Sequence, residues 1–155
     1  MANHKSAKKR SLQSKAKNTV NTQYLSKFRT NLNKFHKSEV LVKQLLLNQY
    51  IVAGIGNIYA SEILFDAKIS PLKRGKELNK YQVGTIIKST KKILKKAIKF
   101  GGSTINDYIS PDGTLGNFQN NFRVYGKEGK KIRGYKIKKM VLYGRSTFFC
   151  PEIQK

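Results

Sequence analysis

The amino-acid sequence predicts a mainly α chain that ends in a β-hairpin. Three observations carry that expectation. Apolar residues recur at helical spacing through residues 38–48, 57–67 and 79–100. Glycine, asparagine, aspartate and serine then crowd the stretch up to Gln119, which reads as loop. Beyond it, "KIKKMVLYGRSTFFC" holds two short β-prone runs around Tyr143, Gly144, Arg145 and Ser146, a hairpin by its turn residues.

Each helix has its own start or stop signal. "SEVLVKQLLLN" offers Ser38 as N-cap, and "NIYASEILFDA" closes at the turn "KISPLKRG" with Pro71. "NKYQVGTIIKSTKKILKKAIKF" places Val83, Ile86, Ile87, Ile93, Leu94, Ala97 and Ile98 on its inner side and lysines outside, and Gly101 with Gly102 stops it.

The N-terminal segment differs in kind. All eight acidic residues lie at Glu39 or later, so residues 1–38 carry Lys5, Lys8, Lys9, Arg10, Arg29 and further lysines with no carboxylate. Leu25, Phe28, Leu32 and Phe35 recur at helical spacing, which predicts a basic helix over 21–35. A solvated basic arm that folds only on its partner is the other reading of the same residues. The change in composition places a boundary near 38, and the chain divides into 1–38, 39–120 and 121–155.

The 155 residues suffice for one ordinary domain or two small ones, and 32 Lys and Arg against 8 Asp and Glu give a formal net charge of +24. Such an imbalance repels itself unless a polyanion neutralises it, so nucleic acid is the leading partner and an anionic membrane surface the competitor. No apolar run approaches the roughly 18 residues of a membrane span. A cytoplasmic protein, in the cytosol or nucleoid, is expected. The single Cys150 excludes an intramolecular disulfide and a cysteine-built zinc site.

"VAGIGNIYASEILF" carries the most specific chemistry. Gly54 and Gly56 let backbone amides approach a ligand, and the helix opening at Asn57 directs its positive dipole end at the same spot. That is an anion site suited to a backbone phosphate. A plain tight turn between packed helices explains the same residues.

"KQLLLNQYIVAGIGNIYASEILFDAKISP", "AIKFGGSTINDYISPDGTLGNFQNNFRVYGKEG" and "GRSTFFCP" follow one another in the order and approximate spacing of the C-terminal half of bacterial formamidopyrimidine-DNA glycosylases. Residues 39–155 resemble that family. The resemblance implies a helix-two-turn-helix DNA-binding domain followed by a hairpin zinc finger, with double-stranded DNA as partner. It places the family's phosphate-contacting lysine at Lys43 and its asparagine at Asn57. Arg145 matches the finger-tip arginine that contacts phosphate and takes part in the second elimination step. Residues 105–118 resemble the loop that covers a flipped base, with Asn106 where a basic residue is usual.

Two departures qualify the resemblance. Ile132, Tyr135 and Ile153 stand at three of the four zinc-ligand positions, leaving Cys150 alone, so no zinc or other cofactor is expected. Packing must hold the finger instead, with Tyr143, Phe148 and Phe149 as contributors. Family members attack the sugar with an N-terminal proline amine assisted by a glutamate, whereas this sequence opens Met1, Ala2, Asn3, His4. Intrinsic glycosylase or lyase activity is therefore not expected unless a separately encoded N-terminal half supplies those groups.

The opening "MANHKSAKKR", with Gln13, Ser14, Asn21, Ser26, Arg29, Thr30 and Lys34, resembles the start of bacterial small-subunit ribosomal protein twenty. That resemblance implies a basic helix on ribosomal RNA, with Lys5, Lys8, Lys9, Arg10 and Arg29 facing phosphates. Two main functional readings result. One is the damaged-DNA-binding portion of a base-excision repair protein, and the other a ribosomal fragment bound to RNA through its basic arm.

Overall fold

A computed structural model of the chain describes Phe35 and residues 38–103 and 116–155. The basic arm with Lys5, Lys8, Lys9, Arg10 and Arg29 lies outside the described residues, as does most of the 105–118 loop, Asn106 included.

The described residues form α1 (Val42–Leu47), α2 (Asn57–Asp66) and α3 (Lys80–Lys99), followed by β1 (Lys131–Ile132), β2 (Tyr135–Lys136), β3 (Lys138–Leu142) and β4 (Arg145–Phe149). The strands make two separate antiparallel hairpins, β1 with β2 and β3 with β4. The central element is α2, which packs on α1, α3 and β4. Residues Ala60 to Phe65 along it are all buried, because neighbours cover the helix on every side.

The first helix begins later than Ser38 predicts. Residues 38–41 run extended against 73–76 instead: Gly75 N donates to Val40 O at 3.0 Å, Lys76 N to Ser38 O at 2.9 Å and Val42 N to Lys73 O at 2.7 Å. Those pairings consume the backbone groups a helix would need, and the Ser38 hydroxyl accepts only from Val40 N at 3.2 Å.

The long helix follows its signals closely. At its start Asn79 Oδ1 accepts from Gln82 N at 2.8 Å while Gln82 Oε1 accepts from Asn79 N at 3.1 Å, a reciprocal cap. At its end Gly102 N donates to Ala97 O and Gly101 N to Ile98 O, with φ of 83° and 72° at the two glycines. Such angles suit glycine alone at low cost, and the helix stops there. Val83, Ile86, Ile93 and Ala97 are buried as expected, but Ile98 is 78% exposed. It lies one residue past Ala97, and a step of about 100° turns it from the seam to solvent.

Phe35, Leu46, Ile63, Leu64, Ile86, Phe118 and Phe122 belong to the main core between the helices. A second cluster of Phe65, Val124, Ile137, Phe148 and Cys150 forms the heart of the hairpin region. Phe148 is buried there and Phe149 is buried outside that cluster, whereas Tyr143 is 66% exposed and adds nothing to that packing. Tyr143 and Gly144 are instead the two turn residues, with φ of 50° and 70°, the pair of positive angles a two-residue hairpin turn demands. Arg145 therefore belongs to β4, opposite Leu142, and not to the turn. A second hairpin, turning at Arg133 and Gly134, was not legible because its strands hold only two residues each.

Candidate nucleic-acid interface

The glycine turn is stitched by one side chain. Gln49 Nε2 donates to Leu47 O and Ile55 O, each at 3.1 Å, and its Oε1 accepts from Gly54 N at 2.8 Å. Gly54 adopts φ of 82°, which explains a glycine there. Gly56 does not need its freedom for the fold, since it sits at φ of −93° and a Cβ would meet nothing within 4 Å. As N-cap of α2 it brings no side chain to the first-turn amides, which stay available to an anion.

Strand β4 lies directly beside this helix start. Asn57 Nδ2 donates to Ser146 O at 2.9 Å and lies 3.5 Å from the Tyr125 hydroxyl, while its Oδ1 is buried with no partner. Lys43 Nζ reaches the same carbonyl at 3.1 Å and Thr147 Oγ1 at 2.6 Å. Lys43 is 2% exposed, its ammonium held by β4 and not free at the surface as expected of a phosphate-contacting lysine, although the residue also lines the groove beside Arg145. Its stem packs in the seam between α1 and β4, which turns the charge inward. Burial first, and then the nearby Arg145 guanidinium, bring its pKa down to about 8.

Arg145 is exposed at the start of β4. Among the described residues no carboxylate pairs with Arg145 or Lys43. A groove of about 470 Å³ opens at this point, lined among others by Gln44, Asn48, Gln49, Tyr50, Tyr143 and Arg145. Arg145 thus lines the groove, and the strand that carries it is held at the uncapped start of α2, an arrangement suited to an anion.

Glu62 is the residue that sequence reasoning missed. It is 1% exposed, and its carboxylate accepts from Arg123 N at 2.9 Å, Val124 N at 3.0 Å and Tyr125 N at 2.9 Å. This anchors residues 123–125, and with them Tyr125, beside Asn57. Ring contacts from Tyr59 through Phe118, Phe122 and Tyr125 to Phe148 run along the same line from helix to hairpin. A signal did exist, since Glu62 is an acid inside an apolar helical run of a chain with only eight acids.

Ile132, Tyr135, Cys150 and Ile153, which stand at the positions where the resemblance implies zinc ligands, do not fit the ion. Ile132 and Ile153 pack against the cluster containing Cys150, and Tyr135 is 49% exposed. One thiol, one phenol and two aliphatic side chains are not a tetrahedral nitrogen and sulfur set. Burial, followed by the Glu152 carboxylate that accepts from the thiol at 3.5 Å, pushes the Cys150 pKa up. Cys150 is thus an inert buried thiol.

The family described as the formamidopyrimidine-DNA glycosylase H2TH domain matches residues 16–109. That span takes in residues 16–38, so the likeness to this family begins well before residue 39 and covers most of the segment assigned above to a ribosomal-protein-like arm. The formamidopyrimidine-DNA glycosylase of Zymomonas mobilis is 47% identical over 136 residues, covering 87% of this chain and 48% of the relative. That of Listeria innocua is 41% identical over 133 residues, covering 84% and 48%. The chain spans about half the length of the curated relatives it matches. Among solved structures, the MutM (Fpg) protein of Thermus thermophilus superposes with a TM-score of 0.76 at 37% identity, covering 82% of this chain and 49% of that one. Lactococcus lactis Fpg in complex with DNA containing an abasic site gives 0.76 at 38%, covering 89% and 56%.

Proposed function

This chain belongs to the family of the formamidopyrimidine-DNA glycosylase H2TH domain, and from that premise we propose that it is the damaged-DNA-binding portion of a base-excision repair protein. The observation that carries the reading is the exposed Arg145, without an acidic partner among the described residues, on a strand held against the uncapped start of α2. Backbone amides at 56–58 and the guanidinium would share one stretch of phosphate backbone, with Gly54 and Gly56 leaving room for close approach. Chemistry at the damaged nucleotide belongs in this reading to a domain outside residues 39–155, such as a separately encoded glycosylase N-terminal domain.

Two finer proposals accompany it. The hairpin finger works without zinc, its place taken by Ile132, Cys150 and Ile153 packed with Phe65 and Phe148. The basic arm adds phosphate contacts through Lys5, Lys8, Lys9, Arg10 and Arg29, either to duplex DNA or to ribosomal RNA. Among the described residues no helix is long and apolar enough to cross a membrane.

Duplex binding is the test. Affinity for a duplex carrying an abasic-site analogue is expected to fall linearly with salt on a log–log scale, and Arg145→Gln to lower that slope by about one unit. A slope unchanged by Arg145→Gln contradicts the reading. Stronger retention of small-subunit ribosomal RNA than of the duplex favours the ribosomal alternative.

A further inference from the structure

We propose that Lys43 is a positioning residue, which sets the aim of Arg145 from inside the seam between α1 and β4 and does not itself touch the nucleic acid. The proposal rests on the reading that Arg145 meets backbone phosphate. Arg145 is exposed, and among the described residues no acidic partner fixes the direction of its tip. What is fixed is the backbone immediately after it. The Ser146 carbonyl accepts from Lys43 Nζ at 3.1 Å and from Asn57 Nδ2 at 2.9 Å, and the Thr147 hydroxyl takes Lys43 Nζ at 2.6 Å.

The hairpin needs such a hold at this end. Its turn is two residues at positive φ, its pairing partner β3 is mostly exposed, and its apolar anchorage begins only at Phe148. Three hydrogen bonds tie Ser146 and Thr147 to the helices, two of them from Lys43. A hydrogen bond donated by an ammonium is stronger and shorter than a neutral one, and a buried one is hard to replace with water.

Thr147 separates this role from a direct contact, because it is fully buried and cannot reach DNA. The slope of duplex affinity against salt, measured with the full chain and the abasic-site-analogue duplex, is the readout. Lys43→Met and Thr147→Val are each expected to lower the slope by about one unit, as Arg145→Gln does, and adding Arg145→Gln to either is expected to change it little further. Thr147→Ser keeps the hydroxyl and is expected to keep the wild-type slope, which separates loss of the contact from loss of folding. A wild-type slope for Thr147→Val, or losses for Lys43→Met and Arg145→Gln that add fully, overturns the proposal. If Arg145→Gln alone leaves the slope unchanged, the phosphate reading fails and the positioning role falls with it.

Discussion

Replacing Glu62 by alanine is expected to destabilise the fold by about 3–5 kcal/mol, because three backbone amides lose the acceptor they share at once. The carboxylate is 1% exposed and receives Arg123 N, Val124 N and Tyr125 N. Water cannot easily take over, since Phe65, Val124 and Phe122 are themselves buried around these amides. Glu62→Gln keeps one oxygen that accepts and is expected to lose less. Urea unfolding of both variants checks the order, and an alanine variant as stable as the wild type would contradict the anchoring role. Loosened residues 123–125 would also free Tyr125 from beside Asn57, so DNA affinity is expected to fall with stability.

Phe65→Ala is the second large effect, a loss of about 3–5 kcal/mol for removing a buried ring. Phe65 belongs to α2 yet sits in the finger cluster with Val124, Ile137, Phe148 and Cys150, and the Arg123 guanidinium stands 5.0 Å from its ring centre. Its removal takes away one apolar contact between helix and finger and leaves the ring contacts from Tyr59 to Phe148 as the other. The same cluster occupies the place where the family resemblance implies a metal. A chelator is therefore expected to leave the unfolding midpoint of the wild type unchanged, while Phe65→Ala lowers it. A midpoint that falls on chelation would show that an ion supports the finger.

How much of this was legible beforehand depended on whether the determinant was local. The cap of Asn79 with Gln82 and the stop at Gly101 and Gly102 are short-range chemistry, and the long helix ends where they place it. Ser38 was an equally good local signal, but residues 38–41 found partners at 73–76, and a contact so far along the chain leaves no trace in a short window of sequence. Tyr143 looked like a core aromatic until the hairpin register put it in the turn.

The candidate site divides along the same line. Gly54, Asn57 and Arg145 were readable as a group, and β4 does lie against the start of α2. The inward turn of Lys43 was not readable, because it depends on Ser146 and Thr147, more than a hundred positions away. Gln49 and Glu62 were missed for a related reason. Each serves backbone groups, and backbone acceptors and donors have no residue type for a motif to show.

Amide hydrogen exchange with and without an abasic-site-analogue duplex tests most directly the proposal that the glycine turn and the tip of β4 form one surface for DNA. Slowed exchange is predicted at 55–58 and at 144–147 together, with the lysine-rich outer face of α3 unchanged. Protection confined to α3, or to only one of the two segments, would contradict the account.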